Sequence, residues 1–121
     1  MKTPPPGSSA RLRLRGGEVD ARLVWPAGAP TAMLVLLVGE LGEGEQIARR
    51  LADALGVVAL VAPCEAGATA IGWAADHAAQ LGVESGRLML GGLHAGVEVA
   101  VELAARARED GWPNLTLVQQ T

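Results

Sequence analysis

Three short, uninterrupted apolar runs, each leading into a stretch with helical spacing, constrain this chain more than any other feature. Met33-Leu-Val-Leu-Leu-Val38 is apolar at every position, which predicts a strand buried on both faces. Next, Ile47, Leu51 and Leu55 recur at helical spacing within Glu45 to Leu55, and Gly56 stands in the stop position. Val57 to Val61 predicts a second buried strand, ended by Pro63. Thr69 to Leu81 predicts a second helix, with Ile71, Ala74, Ala75, Ala78 and Leu81 on one face and Gly82 as its stop. Arg87 to Leu90 is the third such strand. Ala95 to Asp110 is the third helix, in which Glu102 and Arg106 are spaced for an i,i+4 ion pair. Leu115-Thr-Leu-Val118 reads as a last strand. Upstream, Arg11-Leu-Arg-Leu-Arg15 alternates as a half-exposed strand does, Gly16-Gly17 turns the chain, and Val19 to Trp25 returns as the second arm of a hairpin. Pro26 to Pro30 is a Pro/Gly/Ala loop. A hairpin followed by repeated strand–helix units predicts an α/β fold. It has three layers, α/β/α, around a mostly parallel sheet with an N-terminal antiparallel hairpin.

The 121 residues make one domain with a real core. Residues 11–121 are expected to form it, and residues 1–10, with Lys2 and then Pro4-Pro-Pro-Gly-Ser-Ser9, to be a disordered tail. Half the residues are apolar but Phe and Tyr are absent, so the core must be built from Leu, Val and Ala. The net charge of −3, with no basic block, offers no electrostatic footprint for nucleic acid. No apolar run approaches the roughly 18 to 20 residues of a membrane helix, and the start has no apolar signal region. The single cysteine, Cys64, has no internal disulfide partner, which fits a reducing interior. The expectation is a cytoplasmic protein without nucleic-acid or membrane partners.

Between the third strand and the third helix lies Gly92-Leu93-His94-Ala95-Gly96. This strand–turn–helix setting is that of a nucleophile elbow, G-x-S-x-G, with histidine in the serine position. Ile71-Gly-Trp-Ala-Ala-Asp-His-Ala-Ala-Gln-Leu-Gly82, followed by Arg87-Leu-Met-Leu-Gly-Gly-Leu-His-Ala-Gly96, resembles the core of α/β-hydrolases of the hormone-sensitive-lipase type. In those esterases a Trp-containing helix leads through a G-x-D-x-x-R turn and a strand to G-D-S-A-G. Leu103 to Gly111 resembles the helix after their nucleophile, and Val24-Trp-Pro26 the end of their second strand. The resemblance covers roughly residues 18 to 120 and is most specific from Ile71 to Gly111.

The resemblance implies the fold but not the chemistry. His94 occupies the nucleophile position, and Leu93 stands where the family has an acid. The family's oxyanion motif, H-G-G-G, aligns with Val38-Gly39-Glu40-Leu41, of which only Gly39 matches. A carboxylate at Glu40 opposes the negative charge that an oxyanion loop exists to stabilise. The family's catalytic acid and histidine follow later strands, after the point where this sequence ends. Gly92 and Gly96 are expected to keep the elbow as backbone. The remnant oxyanion loop and pocket are expected to comprise Gly39, Glu40, Leu41, Cys64 and Glu65. No intact catalytic residue, cofactor or metal set is expected.

Ser85, Cys64 and His77 are further candidates. Ser85 lies at the opposite end of its strand, roughly 17 Å from the elbow. Cys64 lies two strands from His94 in the family's order, about 10 Å at standard spacing, whereas a Cys–His dyad needs hydrogen-bond reach. His94 has three readings: an imidazole that fills the old nucleophile space, a binding group held by Glu40, Glu43 or Glu65, or a metal ligand with those carboxylates and Cys64. No recognised ligand spacing supports the last. His77, with Asp76 and Gln80 on the polar face of its helix, reads as solvated. Gly39-Glu-Leu-Gly42-Glu-Gly44 superficially resembles a phosphate loop, but it holds two glutamates and no lysine. It reads as a glycine-rich turn.

These residues lead to a non-catalytic α/β-hydrolase-like protein acting as a binding or assembly module. It would pair as a homodimer or with a second protein, and its pocket would take a small acyl-type ligand. The last strand, Leu115 to Val118, carries no charge or proline to protect an unpaired edge, which motivates the dimer. The alternative is a minimal carboxylesterase or other hydrolase, with a site around His94 completed across a dimer. A chain that folds but has no selected function is a third reading.

Overall fold

The apolar runs become the centre of a single sheet. The computed structural model describes residues 9–14, 19–83 and 87–118, so the expected tail up to residue 8, the hairpin turn and Ser85 lie outside the described residues. Six strands, β1 (Ser9–Leu14), β2 (Val19–Val24), β3 (Ala32–Val38), β4 (Val57–Pro63), β5 (Leu88–Gly92) and β6 (Leu115–Leu117), lie in the order β1-β2-β4-β3-β5-β6. β1 and β2 form the antiparallel hairpin, with Leu12 opposite Ala21, and β2 is antiparallel to β4. β4, β3, β5 and β6 run parallel. The expected architecture is present.

Period-two alternation explains why β3 is apolar throughout. Met33, Val35 and Leu37 pack on one face with Val58, Leu60, Ala62 and Leu90, against helices α2 (Gly67–His77) and α3 (Ala95–Asp110). Leu36 and Val38 face the other way, against Ala48 and Ala52 of helix α1 (Leu41–Leu55). All seven β3 residues are buried. Each buried Leu or Val contributes about 1.5–3 kcal/mol of transfer free energy, so the sheet cannot expose either side without losing the fold.

Several boundaries differ from expectation, each for a local reason. β1 begins at Ser9, two residues before Arg11, because Ser9 and Ala10 pair with Val24 and Leu23. β5 continues to Gly92, in register with Leu37 of β3. α2 starts at Gly67 and ends at His77, and a 3-10 turn over Ala79–Leu81 carries the chain to Gly82 at φ 94°. The largest difference is α1, which begins at Leu41, four residues before Glu45. The supposed glycine-rich turn is therefore helix for four of its six residues. Glycine is a poor helix former, so propensity argued against this turn of helix. Tertiary packing requires it, because a Cβ on Gly44 would lie 2.7 Å from Val38 Cγ1 and 2.8 Å from Val61 Cγ1. The first turn of α1 touches the sheet so closely that only glycine fits there.

Glycines inside helices thus separate into two kinds, which thermal or urea unfolding can distinguish. Gly44→Ala is expected to lose about 1–3 kcal/mol through overpacking against Val38 and Val61. Gly72, whose Cβ would meet nothing within 4 Å, is expected to gain about 0.5–1 kcal/mol on substitution by Ala.

Candidate functional site

The elbow is built by two close backbone approaches. Where β5 ends, Leu93 N–H donates to the carbonyl of Leu37 at 2.9 Å, tying the turn to the end of β3. α3 then starts so near β3 that a Cβ on Gly96 would lie 2.0 Å from the Leu37 carbonyl oxygen. A Cβ on Gly92 would lie 2.1 Å from the Gly96 oxygen. Gly96 N–H donates to Leu93 O at 2.8 Å and Val97 N–H to His94 O at 3.1 Å. Both glycines are required by these contacts with backbone, which has no rotamer to yield.

Between them, His94 adopts φ 54°, ψ −118°, and among the described residues it alone has positive φ without being glycine. Such a conformation costs a side-chain-bearing residue about 1–3 kcal/mol and persists only where surrounding structure imposes it. The turn places the imidazole outward, with the side chain 79% exposed. It does not pack into a filled space. Its Nε2 instead lies 3.2 Å from Glu43 Oε1, one of the three carboxylates named for it above. A pair this exposed contributes little to stability.

Glu40 has a different task. It is the N-cap of α1, and its carboxylate accepts from Gly42 N–H at 3.0 Å and Glu43 N–H at 2.7 Å. An anion at a helix N-terminus satisfies orphan donors and complements the positive end of the dipole. The loop after β3, which aligns with a family oxyanion motif, is here closed on its own carboxylate.

These residues surround a cleft of about 150 Å³. Its walls are Val38, Gly39 and Gly44 on the side of β3 and α1, and Leu93 and Ala95 on the elbow. Glu40, Glu43 and His94 complete it. Of the expected pocket residues, Gly39, Glu40, Leu93, His94 and Ala95 come together. Gly92 and Gly96 support the turn from behind. Leu41, Cys64 and Glu65 do not line the cleft. Leu41 instead packs against the α1 side of the core. Cys64 Sγ donates to the Val38 carbonyl at 3.3 Å rather than to His94. Its thiol is raised above the ordinary value by burial first and by the charge of Glu65 second, the opposite of an activated nucleophile. Glu65 is exposed in the 3-10 turn Cys64–Ala66.

Val38, Glu43 and Gly44 are the lining residues that the expected set omitted. Glu43 was on the expected rim, and its signal was spacing: it stands three residues after Glu40, the N3 position of a capped helix. His77 is also corrected. Its ring stacks on Trp73, centroids 4.3 Å apart and planes 13° apart. Nδ1 lies 2.8 Å from the Trp73 carbonyl, and because a carbonyl only accepts, Nδ1 carries the proton. His77 is half-buried, not simply solvated. Among the described residues, no three His, Cys, Asp or Glu side chains are grouped to hold a metal ion, and no helix is long and apolar enough to cross a membrane.

Sheet order, crossover helices and a strained turn between β5 and α3 define an α/β-hydrolase fold. Solved structures similar to it include esterases of the hormone-sensitive-lipase type and arylesterases. An esterase from Pyrobaculum calidifontis is 26% identical with a TM-score of 0.73, matching 89% of this chain and 41% of its own. An arylesterase is 18% identical with a TM-score of 0.78, over 96% of this chain and 44% of its own. A thermophilic carboxylesterase cloned from a metagenomic library is 23% identical with a TM-score of 0.78, over 93% and 47%. The chain therefore spans less than half the length of these structures. No family model and no curated protein matches the sequence.

Strain at the elbow has a measurable consequence. His94→Gly is expected to stabilise the fold by about 1–2 kcal/mol, because glycine adopts this backbone freely while the exposed Glu43 pair is worth little. Equilibrium urea unfolding of the two proteins checks it. Equal or lower stability of the variant would show that the imidazole is held by more than its surface pair.

Proposed function

We propose that this chain is a hydrolase-like binding or assembly module that does not carry out acyl transfer at its elbow. The observation carrying this reading is the identity and surroundings of His94. The strained turn presents an imidazole where the fold's hydrolases present a hydroxyl, with Glu43 at 3.2 Å and the Glu40 carboxylate in the same cleft. An oxyanion forming there would meet two carboxylates, whose charge raises the barrier it should lower.

Assembly is supported by a second feature. Among the described residues, β6 pairs only with β5, and its Leu-Thr-Leu sequence has no charge. β1, the other end of the sheet, carries Arg11 and Arg13. On α3, Leu103 faces Gly67 of α2, so helical spacing turns Val97 and Val101 to the opposite flank, where they are 37% and 50% exposed. A two-fold axis perpendicular to the sheet would pair β6 with its copy and bring the two α3 flanks together on one face. One symmetric contact covers both features.

A specific observation favours the alternative enzymatic reading: a carboxylate within hydrogen-bond reach of an imidazole resembles an oriented base. A p-nitrophenyl acetate assay separates the two. The expected result is hydrolysis no faster than buffer for the native chain, His94→Ala and His94→Ser alike. Hydrolysis well above buffer that disappears in His94→Ala would establish the enzymatic reading.

For assembly, light scattering at micromolar concentration is expected to report a dimer. Thr116→Lys and Val101→Glu, both at exposed positions, should each shift it to monomer with unchanged circular dichroism. A native monomer would remove the dimer.

A further inference from the structure

The cleft beside the elbow has an apolar floor and an acidic rim, and the two together specify a ligand. Val38, Leu93 and Ala95 supply apolar wall, with Gly39 and Gly44 keeping the floor low. At the rim stand Glu40, Glu43 and His94, and no Lys or Arg lines the cleft. Arg22 of β2 and Arg49 of α1 are engaged with Glu45 at 3.6 and 3.4 Å. A cavity of about 150 Å³ accommodates on the order of six non-hydrogen atoms, as dry apolar cavities of that size do.

We propose that this cleft binds a small alkylammonium group, its short apolar chain against Val38, Leu93 and Ala95 and its cationic head between Glu40 and Glu43. This rests on the binding reading above and names its ligand class in place of the acyl-type ligand expected from the sequence. Each carboxylate keeps acceptor capacity for such a head. The Glu40 oxygens each receive one backbone N–H, and Glu43 Oε1 faces His94 while its second oxygen has further sites. An acid of the same shape would bring a third carboxylate to this rim. At contact range each unit charge pair alters affinity roughly fivefold even in water. Exchanging attraction for repulsion therefore discriminates by about tenfold or more.

The experiment compares n-butylammonium chloride with sodium butyrate, which share an alkyl chain and differ in charge. The reporter is the His94 Cε1–H resonance in the full chain, with His77, stacked on Trp73, as internal control. The expected result is a saturable butylammonium-induced shift at His94 but not at His77. Half-saturation should come at about tenfold lower concentration than for butyrate and weaken with added salt. Glu43→Gln should reduce the preference roughly fivefold. Glu40→Gln should reduce it, with α1 checked by circular dichroism because Glu40 caps that helix. Butyrate binding as well or better would overturn the alkylammonium assignment while leaving a small-molecule cleft. Silence of His94 to both, equal shifts at His77, or an undiminished preference in Glu43→Gln would overturn it outright. Failure of the binding reading itself is separately visible as ester hydrolysis in the p-nitrophenyl acetate assay.

Discussion

The contact between the start of α3 and the end of β3 sets the geometry of everything around it. Gly96 lies over the Leu37 carbonyl at a distance no side chain permits, and Gly92 lies equally close to Gly96. Because α3 must enter there, the residue between the two glycines is forced to positive φ and its side chain is thrust outward from the end of the sheet. The same approach lets Leu93 N–H bond to Leu37 and brings Leu93 and Ala95 against the first turn of α1 to form one side of the cleft. The site is a consequence of helix–sheet packing before it is a consequence of any functional group.

What the cleft can do follows from charge rather than shape. The backbone scaffold is one that esterases use, and the structural likeness extends over nine-tenths of the chain. Yet the loop after β3 ends in a carboxylate that caps α1, and a second carboxylate faces the elbow imidazole. Two carboxylates therefore stand in the cleft, and each would repel a developing oxyanion. The strain at His94 sits in the turn between β5 and α3. Packing alone accounts for its presence, since the glycines on either side admit no other path for the chain.

Much of the fold was legible because burial writes itself into periodicity. Val57 to Val61 and Met33 to Val38 are apolar at every position since both faces of their strands are covered, and α3 was delimited correctly at Ala95 and Asp110. The start of α1 was not legible. Gly42 and Gly44 argue against helix locally, and what overrides them is proximity to Val38 and Val61. At the site, His94, Glu40 and Gly39 were visible through their place in a motif. Cys64 and Glu65 shared the correct rim but not the cleft, because the Cys64 thiol is drawn to the Val38 carbonyl.

The sequence by itself determined the alternation of strand and helix, the hairpin, the apolar core and the substitution of histidine into a serine elbow. These are properties of spacing and residue type, which need no knowledge of neighbours. Only the three-dimensional structure decided which carboxylate reaches His94, that the Glu40 carboxylate caps α1, and that His77 stacks on Trp73. Those outcomes depend on distances of a few ångströms between residues up to fifty-one positions apart. The longest of them, from His94 to Glu43, arises only after α1 and α3 have docked on opposite faces of the sheet, whereas Glu40 and His77 find their partners within four positions.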